Sequence, residues 1–181
     1  MKVLVDACVL FPTVLRELVL GAAGKKLFEP LWSRRIIEEW QRAASRISFE
    51  DGGIAALEIE AAEALFPNAS VVYRPETEAK LSLPDANDRH VLAAAIDAGA
   101  SELLTLNIKD FPLSILSVEG IIRRHPDEFL LELLRTNRSD MIAVVDQVLA
   151  RANSHGIDTT NQRALFKRAR LPRFGKALDH H

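Results

Sequence analysis

The strongest constraint on this chain is the alternation of short apolar runs with longer helical stretches through its first 125 residues. Val3-Leu4-Val5 has no polar alternation, the pattern of a strand buried on both faces, and it ends directly in Asp6. Pro12 opens a helix that ends near Gly21 to Gly24. A second helix takes Ser33 as N-cap and runs to about Ile47; a third follows Asp51 and stops at Pro67. Ala69 to Tyr73 reads as a strand, Pro84-Asp85 introduces a helix that ends at Gly99, and Glu102 to Leu106 reads as the next strand. A loop from Asn107 to Pro112 and a short strand at Ile121-Ile122 follow. Strands that alternate with helices require right-handed crossovers, and so a mostly parallel sheet covered by helices.

After Pro126 the pattern turns helical. Asp127 to Arg135 and Asp140 to Ala152 read as amphipathic helices, and a basic segment runs from Thr159 to Ala177. This divides the chain into an α/β domain, 1–125, and a helical extension, 126–181. The 181 residues are 48% apolar and 27% charged, a balance that supports a real core. A net charge of -2 excludes coating nucleic acid by bulk charge, but not a locally acidic metal site. The single cysteine, Cys8, excludes an intrachain disulfide framework or a cysteine zinc site. No run approaches a membrane span and the apolar start is too short for a signal peptide, so the expected location is cytoplasmic. His180 and His181 read as the remnant of a purification tag.

Sites in open α/β sheets form beyond the carboxyl ends of the strands. Asp6 stands at that end of the first strand and Asp110 just past the Glu102 to Leu106 strand, so both face one crevice. At about 100° per residue, Asp88 falls at the centre of the apolar face made by Val91, Leu92, Ala95 and Ile96. Asp97 and His90 fall opposite, where solvated groups belong, while Asp85 reads as the N-cap. In the helix after Ser33, Ile36, Ile37, Trp40, Ala43, Ala44 and Ile47 form the buried stripe; Glu38 lies opposite and Glu39 at the flank, within reach of a crevice. Converging carboxylates repel one another and raise each other's pKa values. Hard divalent cations, Mg2+ or Mn2+, relieve that repulsion and support phosphodiester hydrolysis.

These residues resemble the PIN-domain family. MKVLVDACVL is similar to its first strand, with Asp6 as first acid; RRIIEEWQRA is similar to its glutamate helix, with Glu39 at the matching position. PDANDRHVLAAAIDAGASELLTLNIKDF resembles its most recognisable stretch, with Asp88 and Asp110 as third and fourth acids, and Thr105 and Asn107 where polar residues flank the site. The resemblance covers about Met1 to Pro112. It implies a three-layer α/β/α sandwich and Mg2+- or Mn2+-dependent cleavage of RNA. Many members are toxins of toxin–antitoxin pairs, often homodimeric and silenced by a small antitoxin; others process RNA. The chain departs from the pattern at Ala7 and Cys8, where many members carry a hydroxyl and an amide, so hydrogen bonds around the first acid are expected to be lost.

Arg89 is placed to meet a phosphate or an acid. Arg163, Lys167, Arg168 and Arg170, with Phe166 and Phe174 interleaved, read either as a guide for single-stranded RNA by charge and stacking or as a solvated terminal helix with packed phenylalanines. Two other functions compete. A haloacid-dehalogenase-like phosphatase needs a second aspartate two positions after Asp6, where Cys8 stands. A catalytically idle module that binds RNA or protein would keep the fold without the reaction.

Overall fold

The computed structural model of the chain describes residues 1–178. His180 and His181 lie outside the described residues. The elements run β1 (Lys2–Val5), α1 (Ala7–Leu10), α2 (Thr13–Gly24), β2 (Glu29–Ser33), α3 (Arg34–Ser45), α4 (Phe49–Leu65), β3 (Ser70–Val71) and α5 (Pro75–Lys80). A 3-10 turn (Ala86–Asp88) then leads to α6 (Arg89–Asp97), β4 (Glu102–Leu104), α7 (Leu113–Leu116), β5 (Ile122–Arg124), α8 (Pro126–Thr136), α9 (Arg138–Ser154), α10 (Gln162–Arg168) and α11 (Pro172–Leu178). They form two compact units: residues 1–11 with 28–124, and residues 12–27 with 125–178.

The first unit is built on a parallel five-stranded sheet of order β3-β2-β1-β4-β5. Val3, Leu4 and Val5 are all fully buried. Because successive strand residues point to opposite faces, both faces of β1 are covered, as the α/β sandwich requires. Leu103 and Leu104 of β4 are buried in the same way, in register with Leu4 and Val5. Among the helices of this unit, α3 packs on α1 and α4, and α6 packs on α5 and on β1, β2 and β4. The chain leaves β1 toward β2 and later returns on the other side of it to form β4. That reversal makes the carboxyl ends of β1 and β4 the switch point where α/β sheets bind ligands.

Strand β2, between β1 and β3, is absent from the sequence reading, and it carries Pro30, a residue that normally argues against an inner strand. The hydrogen bonds explain the exception. Glu29 N–H donates to Met1 O on the β1 side, whereas Trp32 N–H donates to Ala69 O on the β3 side. Backbone direction alternates, so the Pro30 nitrogen faces the β3 side, where pairing starts only at Trp32. The missing donor therefore costs no ladder bond.

The second unit is helical. Within it α2 packs on α8 and α9, α8 also on α9 and α11, and α10 on α11. A Cβ added at Gly21 would stand 2.6 Å from Val144 Cγ1, so α2 and α9 cross at a distance only glycine allows. Phe166 and Phe174 are fully buried and meet edge to face, with centroids 5.5 Å apart. Of the two readings of this segment, the structure matches the packed phenylalanines and not rings that stack on RNA bases: the fold uses them as core. The buried Asp127 carboxylate accepts hydrogen bonds from Arg173 N at 3.1 Å and Phe174 N at 2.9 Å, satisfying the first turn of α11 from another helix.

Candidate active site

Asp6 follows β1 directly and is 7% exposed, with its backbone N–H donating to Leu104 O across the switch point. Burial of a carboxylate is costly unless hydrogen bonds meet it. Thr105 Oγ1, just past β4, donates to Asp6 Oδ2 at 2.6 Å, and Cys8 Sγ donates to the same oxygen at 3.1 Å. Cys8 Sγ also accepts from Leu106 N at 3.2 Å. Burial first, and then the Asp6 charge, push the Cys8 thiol up to about 12, so it keeps its proton and acts as a donor. The expected loss of hydrogen bonds at Ala7 and Cys8 is thus corrected: the thiol supplies one.

The exit of β4 serves two acids. Asn107 N donates to Thr105 Oγ1 at 2.9 Å, while Asn107 Nδ2 donates to Asp88 Oδ2 at 2.9 Å. Asp88 ends the 3-10 turn, half-buried. Its carboxyl is pushed up to about 6, first by burial and then by the charges of Asp6, Asp85 and Asp110, with His90 acting in the opposite direction. Asp85 caps the turn, accepting from Asn87 N at 2.8 Å, which is the cap role read from the sequence. Asp110 lies on the following loop, which is fastened at both ends: Phe111 is fully buried, and Arg123 Nη1 donates to Ile108 O at 2.9 Å and Phe111 O at 2.7 Å.

Glu39 is held elsewhere. Its Oε1 stands 2.9 Å from His90 Nε2 and 3.7 Å from Arg35 Nε. The histidine contact is close without being an aligned hydrogen bond. Arg35 also reaches Glu78 Oε1 at 3.2 Å and Asn87 O at 3.4 Å. His90 is fully buried, which corrects its reading as a solvated residue. Asp97, placed on the same outer face, is likewise engaged, by Arg74 and Thr77, and its carboxyl is held down to about 2, chiefly by the Arg74 hydrogen bond. Both errors have one cause. A helical wheel marks the polar side of α6, but Val91 through Ala95 are all buried, so neighbouring elements cover that side too.

Arg89 Nε donates to Ala86 O at 3.1 Å. Arg163, Lys167, Arg168 and Arg170 are exposed in the second unit. Arg123, the burial of His90 against Glu39 and the donor role of Cys8 are the features that sequence reasoning missed. An arginine on an edge strand and a histidine on the polar side of a helix look the same as their solvated counterparts.

The donor set suits a hard cation. Asp6, Asp88 and Asp110 carry carboxylate oxygens of the kind such ions prefer, and Asp88, raised first by burial, is raised further by the charges of Asp6, Asp85 and Asp110, a repulsion that a divalent ion would relieve. Among the described residues, no three His, Cys, Asp or Glu side chains already converge on one point. None of the helices among the described residues is long and apolar enough to cross a membrane.

Comparison with known proteins adds three findings. The family model of the PIN domain matches residues 2–109. A curated protein of Mycobacterium tuberculosis, named "Putative ribonuclease VapC50", is 49% identical over 47 residues, which are 26% of this chain and 28% of that protein. No solved structure matches the chain.

Proposed function

Because the chain belongs to the PIN-domain family, we propose that it is a metal-dependent endoribonuclease that hydrolyses RNA phosphodiester bonds, acting as the toxin of a toxin–antitoxin pair. The observation that carries this reading is the pair of acids Asp6 and Asp88, tied together through Thr105 and Asn107 at the switch point of the sheet. The name of the mycobacterial relative supports RNA as substrate; the matched segment is just over a quarter of that protein.

In this reading Asp6, Asp88, Asp110 and Glu39 would hold Mg2+ or Mn2+, with Glu39 giving up its His90 and Arg35 contacts. Such an ion, when bound, would supply Lewis-acid polarisation of the phosphodiester and a more acidic water. Thr105 and Cys8 fix the Asp6 carboxylate, Asn107 fixes Asp88, and Arg123 holds the loop that presents Asp110. Arg89 contacts the scissile phosphate. Residues 1–125 contain all the proposed chemistry, and the exposed cations of 126–181 attract the RNA backbone by charge. A small antitoxin and a second copy of the chain are the proposed protein partners, in the cytoplasm.

The test incubates labelled single-stranded RNA with the protein in Mn2+, in Mg2+ and in chelator, with an Asp6→Asn/Asp88→Asn variant in parallel. Metal-dependent cleavage that the variant lacks is expected. A second reading, an idle PIN module that binds RNA or protein, is favoured by Glu39 lying against His90 and Arg35. No cleavage in any lane, together with no metal binding by calorimetry, would establish it instead.

A further inference from the structure

Asp88 stands at the end of a stretch of chain that the core hardly holds. Among residues 72–89 only Leu81 is buried, and helix α5 within it buries none of its side chains. Polar contacts hold the stretch instead. Near its start, the Asp97 carboxylate accepts from Arg74 N and Arg74 Nη2, both at 2.7 Å, and from Thr77 Oγ1 at 3.0 Å. Near its end, the 3-10 turn makes local bonds, from Asn87 N to Asp85 Oδ1 at 2.8 Å and from Asp88 N to Asp85 O at 3.2 Å. Two residues reach this end from outside the stretch. Asn107 donates to the Asp88 carboxylate, and Arg35 Nη2 donates to Asn87 O at 3.4 Å, on the backbone just before Asp88.

Arg35 stands on α3, and its three nitrogens have three partners. Nη2 meets the turn, Nη1 donates to Glu78 Oε1 of α5 at 3.2 Å, and Nε lies 3.7 Å from Glu39 Oε1, one turn along α3. A guanidinium can do this because its donors are fixed in a planar fork, whereas an ammonium is a single point of charge. The Glu78 and Asn87 contacts both bear on the stretch that ends in Asp88. We propose that Arg35 is a positioning residue of the site: its fork sets the turn that presents Asp88, so metal affinity depends on the shape of the side chain at position 35 and not on its charge alone. The inference rests on the metal-dependent reading above and goes beyond it by assigning a residue that acts through Asn87 and Glu78 rather than by touching the ion.

The experiment measures the Mn2+ affinity of the full chain, without RNA, from the electron paramagnetic resonance signal of free Mn2+. The parent is compared with Arg35→Lys, Arg35→Met and Arg74→Met, and thermal melts are recorded for each. Arg35→Lys keeps a cation one turn from Glu39 but cannot span Glu78 and Asn87 O together. It is expected to bind Mn2+ about tenfold more weakly than the parent, the scale of losing a group that orients a ligand. Arg35→Met loses the same contacts but frees Glu39 of a competing cation, so it is expected to bind at least as well as Arg35→Lys. Arg74→Met loosens an exposed ion pair at the start of the stretch and is expected to stay within about threefold of the parent. Arg35→Lys matching the parent, or binding better than Arg35→Met, would make the role one of charge. Equal affinities in all Arg35 forms with lowered melting temperatures would make it one of fold stability, and an equal loss on Arg74→Met would make it a general loosening. Each of these overturns the proposal and leaves the enzymatic reading standing, whereas a parent that binds no Mn2+ overturns both.

Discussion

Asp6 and Glu39 are both acids of the first unit, and they are satisfied in opposite ways. Asp6 is almost wholly buried and is met by two neutral donors, a hydroxyl and a thiol, while the charges that act on neighbouring Asp88 include Asp6, Asp85 and Asp110. Glu39 is 31% exposed and faces a guanidinium and an imidazole. Neutral donors orient a carboxylate and leave its charge available; a cation orients it and uses that charge. The Asp6 side is thus an acidic cluster in which His90 offsets only part of the charge acting on Asp88, whereas Glu39 lies against His90 and an Arg35 that it shares with Glu78.

Removing the charge on each side tests this asymmetry most directly. Asp6→Asn should lower cleavage by about a thousandfold, the scale of losing a central electrostatic group. Glu39→Gln should lower it by only about tenfold, because breaking the His90 and Arg35 contacts offsets part of what ligation contributes. Equal losses in single-turnover assays would erase the distinction. The next effect concerns stability of the metal-free protein. The folded Asp88 carboxyl titrates near 6 rather than its ordinary 3.8, so between those values the folded state keeps a proton that the unfolded chain has lost. Stability therefore falls as pH rises through that window and stays lower above it. Asp88→Asn removes the penalty. Because Asp88 is half exposed, solvent screening leaves a gain of about 1 kcal/mol at about pH 8 and none at about pH 3.5, readable in thermal melts.

A smaller change sharpens the account of how Asp6 is oriented. Cys8→Ala removes a donor to Asp6 and strands Leu106 N–H, and should weaken Mn2+ binding by about tenfold in calorimetry. Cys8→Ser should restore most of it. If serine and alanine behave alike, the thiol does not orient the carboxylate. The smallest expected effect belongs to His90: His90→Gln, which keeps a donor, should change Mn2+ affinity by less than about threefold, against a larger change in His90→Leu.

The sequence made the fold legible wherever burial was complete. Val3-Leu4-Val5 identified itself as an inner parallel strand, from which the position of Asp6 followed, and Glu102 to Leu106 read as a strand that the structure ends at Leu104. β2 held an exception: its proline breaks a rule about inner strands that applies only where the neighbour on the proline's nitrogen side needs that donor. The site was legible in part. Asp88 turned up near the other aspartates because a wheel detects an acid on an apolar face. Glu39, on a flank, gave no sign of its partners, since Arg35 is one helical turn away in sequence but His90 is fifty-one positions on. The same distance problem hid Arg123, which reaches backbone oxygens that no pattern of side chains records. The placement of residues 12–27 with the C-terminal helices was hidden too, because it depends on a glycine fitting against Val144.

Asp127 sets a limit on how the chain can be shortened. Its carboxylate is 4% exposed and accepts hydrogen bonds from the backbone of Arg173 and Phe174, forty-six and forty-seven positions downstream. A chain trimmed before Arg173 would keep the charge buried and lose the donors, and it would also lose the ring that closes on Phe166. The basic tail therefore cannot be cut away as a detachable arm to ask whether it contacts RNA. Its contribution has to be read by neutralising Arg163, Lys167, Arg168 and Arg170 in place, leaving the last helix to hold the second unit together.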